Sequence, residues 1–162
     1  MELQRELVKL CSALNRAGVR YVIVGGCAVI LHGYFRTTHD VDLLVEPSPE
    51  NIRSLKKALH EFSGSNEVFD IRDDDVERYA VVRFAAEEQS IAIDLIGKIG
   101  RITFEVASRD VEEVELEGIR IPLCGLSTLM ETKKGLRPKD KEDYLFLKGK
   151  KEYLQKEQKN DL

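Results

Sequence analysis

Residues Tyr21–Val45 read YVIVGGCAVILHGYFRTTHDVDLLV, and this stretch decides the fold. Its first four residues are apolar or aromatic and predict a short buried strand that ends at Gly25. The next apolar run, Cys27–Leu31, predicts one or two helical turns. The stretch closes with a second apolar strand, Asp40–Val45, which opens with two carboxylates. Two charged groups at the start of a buried strand require a compensating partner.

Asp40 and Asp42 point to the same side of the predicted strand, because side chains alternate along a strand. Two like charges at this spacing, next to an apolar core, repel each other and lose hydration. A divalent cation removes both penalties. Mg²⁺ suits the pair, since it takes one or two carboxylates and fills its other positions with water and phosphate oxygens. The pattern predicts a site for Mg²⁺, with Mn²⁺ as a substitute.

The pair Gly25-Gly26 supplies the complementary half of such a site. A backbone without Cβ atoms approaches a ligand closely. Its N–H groups, at the start of the predicted helix, form an anion site for phosphates. A glycine pair alone is usually a turn, and Asp-x-Asp alone is usually a strand end or a cap. Their order and separation together predict a polyphosphate-and-metal site.

These residues resemble the signature of the nucleotidyltransferase superfamily, which has the DNA polymerase beta-like fold. Gly25-Gly26 is followed by thirteen residues and then by Asp40-Val41-Asp42 inside an apolar strand. The longer text is Gly-Gly-x-Ala-x-x-x-His-Gly-x-x-Arg-x-Thr-x-Asp-x-Asp. It is similar to the small prokaryotic branch that includes abortive-infection-type toxins and minimal antibiotic nucleotidyltransferases.

The resemblance implies a third metal-binding carboxylate on a later strand, and Asp94 matches it. Ser90–Ile96 reads SIAIDLI and is apolar except for this residue. A lone Asp within a buried strand needs a partner. An internal ion pair with an arginine such as Arg83 is the alternative to a metal ion, and the sequence leaves both open.

The resemblance also implies a set of nucleotide-binding and supporting residues. The expected nucleotide-binding residues are Gly25, Gly26, Arg36, Thr38, Lys133 and Arg137. Asp140 is expected to support the site. Arg36 carries a fork of donors on a loop and is suited to phosphate, with a surface ion pair as the alternative. His32 either contacts the nucleotide or shapes the turn. Cys27 is interpreted as a packing residue.

Length and composition predict one domain, residues 1–162, with C-terminal helices from about residue 125. The chain is 43% hydrophobic and 33% charged, which is typical of globular proteins. It contains neither an apolar run of about eighteen residues nor a signal peptide, so we expect no membrane partner. Three widely spaced cysteines without a CxxC favour a reducing cytoplasm. The net charge of −4 gives no global attraction for nucleic acid.

The predicted fold is α/β (α+β): a mixed, mostly antiparallel twisted sheet with packed helices. Periodicity and caps predict helices over Met1–Ala17, from Ser48 to Gly64, from Ser127 to Gly135, and from Pro138 onward, with a solvated or frayed end after Lys148. Further strands are predicted over Val68–Ile71, Arg78–Phe84, Ser90–Ile96, Ile102–Val106, Val111–Leu116 and Ile119–Leu123.

The predicted function is metal-dependent transfer of a nucleoside monophosphate from an NTP to an acceptor hydroxyl. The resemblance implies two Mg²⁺ ions held by Asp40, Asp42 and Asp94. RNA 3′ ends, a protein hydroxyl and a small molecule are all compatible acceptors. A protein partner in a toxin–antitoxin or phage-defence system is compatible as well. The alternative is a non-catalytic nucleotide-binding regulator or antitoxin-like partner protein.

Overall fold

A six-stranded sheet forms the centre of the structure, a computed structural model that describes residues 2–135 and 137–161. The strands in chain order are β1 (Tyr21–Val24), β2 (Asp40–Val45), β3 (Val82–Phe84), β4 (Ala92–Ile96), β5 (Lys98–Ile99), β6 (Ile102–Thr103), β7 (Glu112–Leu116) and β8 (Ile119–Leu123). The helices are α1 (Glu2–Arg16), α2 (Gly25–Leu31), α3 (Pro49–Ser63), α4 (Asp75–Arg78), α5 (Phe104–Ser108), α6 (Leu126–Thr132) and α7 (Pro138–Asn160). The predicted start of the first helix, Met1, lies outside the described residues.

The order of strands in the main sheet is β3-β4-β2-β1-β8-β7, and β5 and β6 form a separate two-stranded ribbon. Three pairings in the main sheet are antiparallel, β1–β2, β3–β4 and β7–β8. Two are parallel, β2–β4 and β1–β8. The predicted mixed, mostly antiparallel sheet is therefore confirmed. The parallel pair β2–β4 is the one that positions the site, and α3 lies in its crossover connection.

The helices cover the sheet in two groups. α1 packs on α3 and on β8, while α2 packs on β1, β2, α6 and α7. The apolar stripe of α1, which includes Leu7, Leu10 and Leu14, is buried. No helix within residues 2–135 and 137–161 is long and apolar enough to cross a membrane.

The ends of α3 are those that its sequence predicts. Ser48 is the N-cap and its side chain accepts a hydrogen bond from the Asn51 N–H, with Pro49 in the first turn. Gly64 ends the helix in the left-handed conformation, with φ of 70°. The first helix likewise gives way to Gly18 at φ of 69°. Both local signals are confirmed.

The predicted strand Val68–Ile71 is wrong. Residues Asn66–Asp70 form a 3₁₀ helix capped by the Ser65 side chain, which accepts from the Glu67 N–H. Phe69 in this helix is half-exposed while Val68 is buried. A short apolar run does not by itself distinguish a strand from a helical turn.

Three other boundaries also differ from the prediction. Only Val82–Phe84 of the predicted strand Arg78–Phe84 pairs, because Arg78 ends α4. The predicted strand Ile102–Val106 stops at Thr103, whose side chain accepts from the Val106 N–H and starts α5. The helix predicted from Ser127 to Gly135 starts after Gly125 and ends at Thr132. In each case a turn or a side-chain cap interrupts an apolar run. α7 begins at Pro138 as predicted and continues to Asn160.

The side chain of Asn51 ties the first turn of α3 to the ends of β1 and β2. It is 3% exposed. Its Oδ1 accepts from the Arg20 N–H at 2.8 Å, and its Nδ2 donates to the carbonyls of Arg20 at 3.0 Å and Glu46 at 2.8 Å. One amide therefore satisfies three backbone groups that precede or follow the central strands.

Asn51→Ala is expected to lower the free energy of unfolding by about 1–3 kcal/mol, because the Arg20 N–H and the Glu46 carbonyl lose the partner that Asn51 supplies. Urea denaturation checks this. Asn160→Ala, at the exposed end of α7, is the matched control and should change stability by less than about 0.5 kcal/mol. Similar small losses in both variants would contradict the assigned role of Asn51.

Candidate active site

The parallel register of β2 and β4 brings the predicted carboxylates together. Asp42 lies directly opposite Asp94, and Asp40 lies opposite Ala92. Side chains of residues paired in register share one face of the sheet. Asp94 is 8% exposed, whereas the Asp40 side chain is 41% exposed. The fold therefore collects three carboxylates at the end of two neighbouring strands.

Arg83, opposite Asp94 in the antiparallel pair β3–β4, contacts two of these carboxylates. Its Nε donates to Asp94 Oδ1 at 2.8 Å and its Nη2 to Asp94 Oδ2 at 3.0 Å. The same Nη2 donates to Asp40 Oδ2 at 3.2 Å. The ion pair named as the alternative partner of Asp94 is therefore present. The assignment of Asp40, Asp42 and Asp94 as metal ligands stays a prediction.

Asp42 is the carboxylate that Arg83 does not reach. Its pKa is raised to about 6, first by burial and then by the neighbouring negative charges of Asp94 and Asp40. The positive charge of Lys133 opposes these effects and lowers the pKa. The negative form of Asp42 is therefore disfavoured, and a cation close to it would relieve that strain.

The glycine pair adjoins both a carboxylate and a guanidinium. Gly25 has φ of 69°, and a Cβ atom there would overlap Asp42 Oδ2. A Cβ atom on Gly26 would lie 2.6 Å from Arg36 Nη2. The sequence predicted close approach of the backbone to a ligand. The structure shows that the two glycines also make room for side chains of the protein itself.

A buried ion cluster lies next to the glycine pair and centres on Asp143, which is 1% exposed. Arg36 contacts both of its oxygens at 3.0 Å, and Lys133 Nζ lies 3.1 Å from its Oδ2. Sequence reasoning did not assign Asp143 a role. The available signal was an Asp three residues after Asp140 in a first helical turn, a spacing that places both on one helix face.

The predicted nucleotide-binding cations are thus already paired. The Arg36 side chain is 18% exposed and also donates from Nη1 to the Thr37 carbonyl, so it is neither a surface ion pair nor an unengaged phosphate ligand. Lys133 is 7% exposed and lies 3.6 Å from Asp140 Oδ1 as well. Arg137 pairs with Asp140 at 3.0 Å, but its side chain is 81% exposed.

The contacts of His32 fit the second of its two predicted roles, which is to shape the turn after α2. Its Nε2 donates to the Cys124 carbonyl at 2.8 Å, and Lys150 Nζ donates to its carbonyl at 2.7 Å and lies 3.3 Å from its Nδ1. Because a lysine only donates, the tautomer with the proton on Nε2 satisfies both contacts. Burial lowers the pKa of His32. The residue ties the end of α2 to β8 and α7.

Thr38 and Cys27 also occupy supporting positions. Thr38 Oγ1 lies 3.3 Å from the Asp40 carbonyl and 3.5 Å from its N–H, at the entry to β2. Cys27 is buried, and burial raises the pKa of its thiol to about 12. Its predicted packing role is consistent with this environment, because a thiol that resists ionisation is a poor nucleophile.

The chemistry of the donor set fits Mg²⁺. Three carboxylates on two adjacent strand ends are hard oxygen donors of the kind this ion takes. As they stand, however, no three acidic, histidine or cysteine side chains within the described parts of the chain are arranged to hold a metal. Asp94 and Asp40 are instead turned toward the Arg83 guanidinium. A cation would have to take the place of that guanidinium.

The mixed sheet and its acidic strand ends define a member of the nucleotidyltransferase superfamily. Residues 1–117 match a family described as nucleotidyltransferases of unknown function (DUF6036), and the chain belongs to that family. The chain also superposes on the crystal structure of a proposed nucleotidyltransferase from Thermotoga maritima. The TM-score is 0.51 and the identity 16%, over 99% of this chain and 94% of that one, a likeness that establishes the fold. No curated protein matches the sequence.

Asp42→Asn should raise the stability of the metal-free protein at neutral pH. The folded pKa of about 6 lies above the ordinary value of 3.8, so the folded state binds more protons than the unfolded state between these values. The wild-type free energy of unfolding should therefore fall as pH rises from about 4 to about 6. The variant removes this loss and gains roughly 3 kcal/mol above pH 6.

Urea denaturation in EDTA at acidic and neutral pH measures this effect. Asp70→Asn is the control, because Asp70 is exposed on the 3₁₀ helix. A gain present at neutral pH and absent near pH 4 confirms the prediction. Equal or lower stability of Asp42→Asn at neutral pH would show that Asp42 makes a stabilising ion pair instead.

Gly25→Ala should destabilise the protein by about 2–4 kcal/mol, because it adds both a strained backbone and a clash with the Asp42 carboxylate. Gly100→Ala is a control for the backbone term alone. Gly100 has φ of 59°, and a Cβ atom there would meet no other atom within 4 Å. Thermal denaturation of both variants measures the difference, and equal losses would show that the Asp42 contact contributes nothing.

Proposed function

We propose that the protein transfers a nucleoside monophosphate from an NTP to an acceptor hydroxyl and releases pyrophosphate. The observation that carries this proposal is the register of β2 and β4, which sets Asp42 beside Asp94. Asp40 lies two residues before Asp42 on β2, and Gly25 adjoins Asp42. Family membership supports a nucleotide as the substrate.

The residues divide the work between the triphosphate and the acceptor. Asp40 and Asp42 would hold Mg²⁺, and Asp94 would share one ion and accept the proton of the attacking hydroxyl. When bound, two such ions neutralise phosphate charge and lower the pKa of that hydroxyl. Positioning and charge neutralisation then suffice for phosphoryl chemistry without a protein nucleophile.

The surrounding groups would bind and orient the nucleotide. The backbone of Gly25-Gly26 would receive the triphosphate, next to Asp42. Lys133 already acts on the charge of Asp42, and its ion pair with Asp143 keeps it in place. Arg137 has an exposed side chain, so it can reach a phosphate while Asp140 anchors it. Arg36 and Thr38 would shape the loop between the glycine pair and the carboxylates.

The acceptor and the biological setting extend this proposal. The resemblance to abortive-infection-type enzymes supports a role in a toxin–antitoxin or phage-defence pair with a protein partner. RNA 3′ ends, a protein hydroxyl and a small antibiotic are the acceptor classes. Incubation with each α-labelled NTP, Mg²⁺ and a cell extract identifies the acceptor. Label that enters RNA, protein or a small molecule separates the three classes, and no transfer with any NTP would contradict the proposal.

Asp94→Asn should abolish transfer while largely retaining NTP affinity. Its contribution is expected mainly in the transition state, so kcat should fall by at least about 100-fold with little change in nucleotide affinity. Labelled-nucleotide transfer and equilibrium binding of a non-hydrolysable analogue are the two measurements. Asp70→Asn should leave both unchanged. An unchanged transfer rate in Asp94→Asn would remove Asp94 from the catalytic set.

The ion pair between Arg83 and Asp94 supports one second candidate, a binding-only regulator or antitoxin-like partner. In such a protein the pair would be a permanent structural contact. This binding-only candidate predicts nucleotide binding without transfer of label to any component of the extract. The same binding and transfer measurements separate it from the enzyme.

A further inference from the structure

The Arg83 guanidinium bridges two of the three carboxylates. It forms a two-point contact with Asp94 and extends one nitrogen to Asp40. A planar guanidinium suits this bridging geometry, because its donors form a rigid fork. Asp42 adjoins Asp94 but is left outside the bridge. Arg83 therefore neutralises two of the three carboxylates that the proposed function assigns to divalent cations.

We propose that Arg83 is an internal counter-cation that competes with a divalent metal ion for Asp40 and Asp94. The inference rests on the proposed function, since it concerns the metal that this function requires. Metal binding then includes the departure of the guanidinium. Only molecules in which Arg83 has left the carboxylates can bind the metal. The apparent affinity for metal is therefore the intrinsic affinity multiplied by the fraction of such molecules.

The position of Arg83 leaves its side chain accessible to solvent. It lies in the middle of β3, a three-residue strand at the edge of the sheet. Its side chain is 55% exposed, and among the described residues its hydrogen bonds are to Asp40 and Asp94 only. Its departure would leave the Asp94 carboxylate, which is 8% exposed, without a counter-charge, and an incoming metal ion would take over that role.

Lys133 and Arg36, two other cations near the cluster, are mostly buried, whereas Arg137 is exposed but pairs with Asp140 rather than with the three carboxylates. The Lys133 side chain is 7% exposed and is paired with buried Asp143. The Arg36 side chain is 18% exposed and also pairs with Asp143. Removing either from its partner would leave a buried charge uncompensated, which is strongly destabilising. Arg83 is thus the cation at the site suited to exchange with a metal.

Arg83→Gln tests the competition through the binding of Mn²⁺ alone, measured from the electron paramagnetic resonance signal of free Mn²⁺. The variant should bind Mn²⁺ about tenfold more tightly than the wild type, because the carboxylates no longer have an internal partner. In EDTA its melting temperature should fall by a few degrees, since like charges are then uncompensated. Added Mn²⁺ should restore the loss.

Arg78→Gln is the matched control for the change in net charge. Arg78 ends α4, five residues before Arg83, and its ion-pair partner is Asp74 rather than the cluster. Its Mn²⁺ affinity should equal that of the wild type. Arg83→Lys keeps the charge but not the fork, so it should bind Mn²⁺ about threefold more tightly than the wild type. That variant decides the question if Arg83→Gln does not fold.

Three results would overturn the inference, and they have different consequences for the proposed function. If wild type and both Arg83 variants bind Mn²⁺ with equal affinity, Arg83 is not a competitor, while the metal site itself stands. If Arg83→Gln binds more weakly, Arg83 supports the metal and the inference is likewise wrong. If no protein binds Mn²⁺ with or without an NTP analogue, both the inference and the proposed metal-dependent function fail.

Discussion

The pairing of Asp42 with Asp94 across two parallel strands is the constraint on which the site depends. It is maintained by the apolar residues that alternate with the carboxylates. Val41 and Leu43 in β2 and Ile93 and Leu95 in β4 are all essentially inaccessible to solvent. A slip of one residue would bring these side chains to the acidic face and drive the carboxylates into the core. Burial of hydrocarbon thus enforces a proximity that electrostatics opposes.

The electrostatic cost of this arrangement is met by cations of two kinds. Lys133 is fixed in a buried cluster and acts on Asp42 through space. Arg83 reaches the other two carboxylates from an edge strand. The first is a buried charge that shapes the potential at the site. The second is an exposed charge, and it is the one that we propose exchanges with a metal ion.

Patterns local in sequence predicted the fold and the proximity of Asp40, Asp42 and Asp94. The strand, the glycine pair and Asp-Val-Asp are contiguous features, and alternation alone set the facing of Asp40 and Asp42. The caps of α3 were readable for the same reason. The strand prediction for Val68–Ile71 failed because a short apolar run is compatible with a 3₁₀ turn, and the capping Ser65 decided between them.

Residues joined across the chain were harder to predict. Arg36 and Asp143 are 107 positions apart, and no local pattern connects a loop arginine with an aspartate in the first turns of a distant helix. The Arg83–Asp94 pair could be named in advance, because a buried aspartate requires a partner, but the sequence could not choose between arginine and metal.

Asp143 has a consequence for how this sequence can change during evolution. One buried carboxylate accepts both Arg36 and Lys133, so the loss of Asp143 would deprive two largely buried cations of their shared partner. Neutral drift at these three positions should therefore be correlated rather than independent. Descendants that replace Asp143 should also have replaced at least one of the two cations, and the space beside Gly26 would then be open to a larger residue. Gly26 is therefore coupled through Arg36 to Asp143, which lies more than a hundred residues away in the sequence.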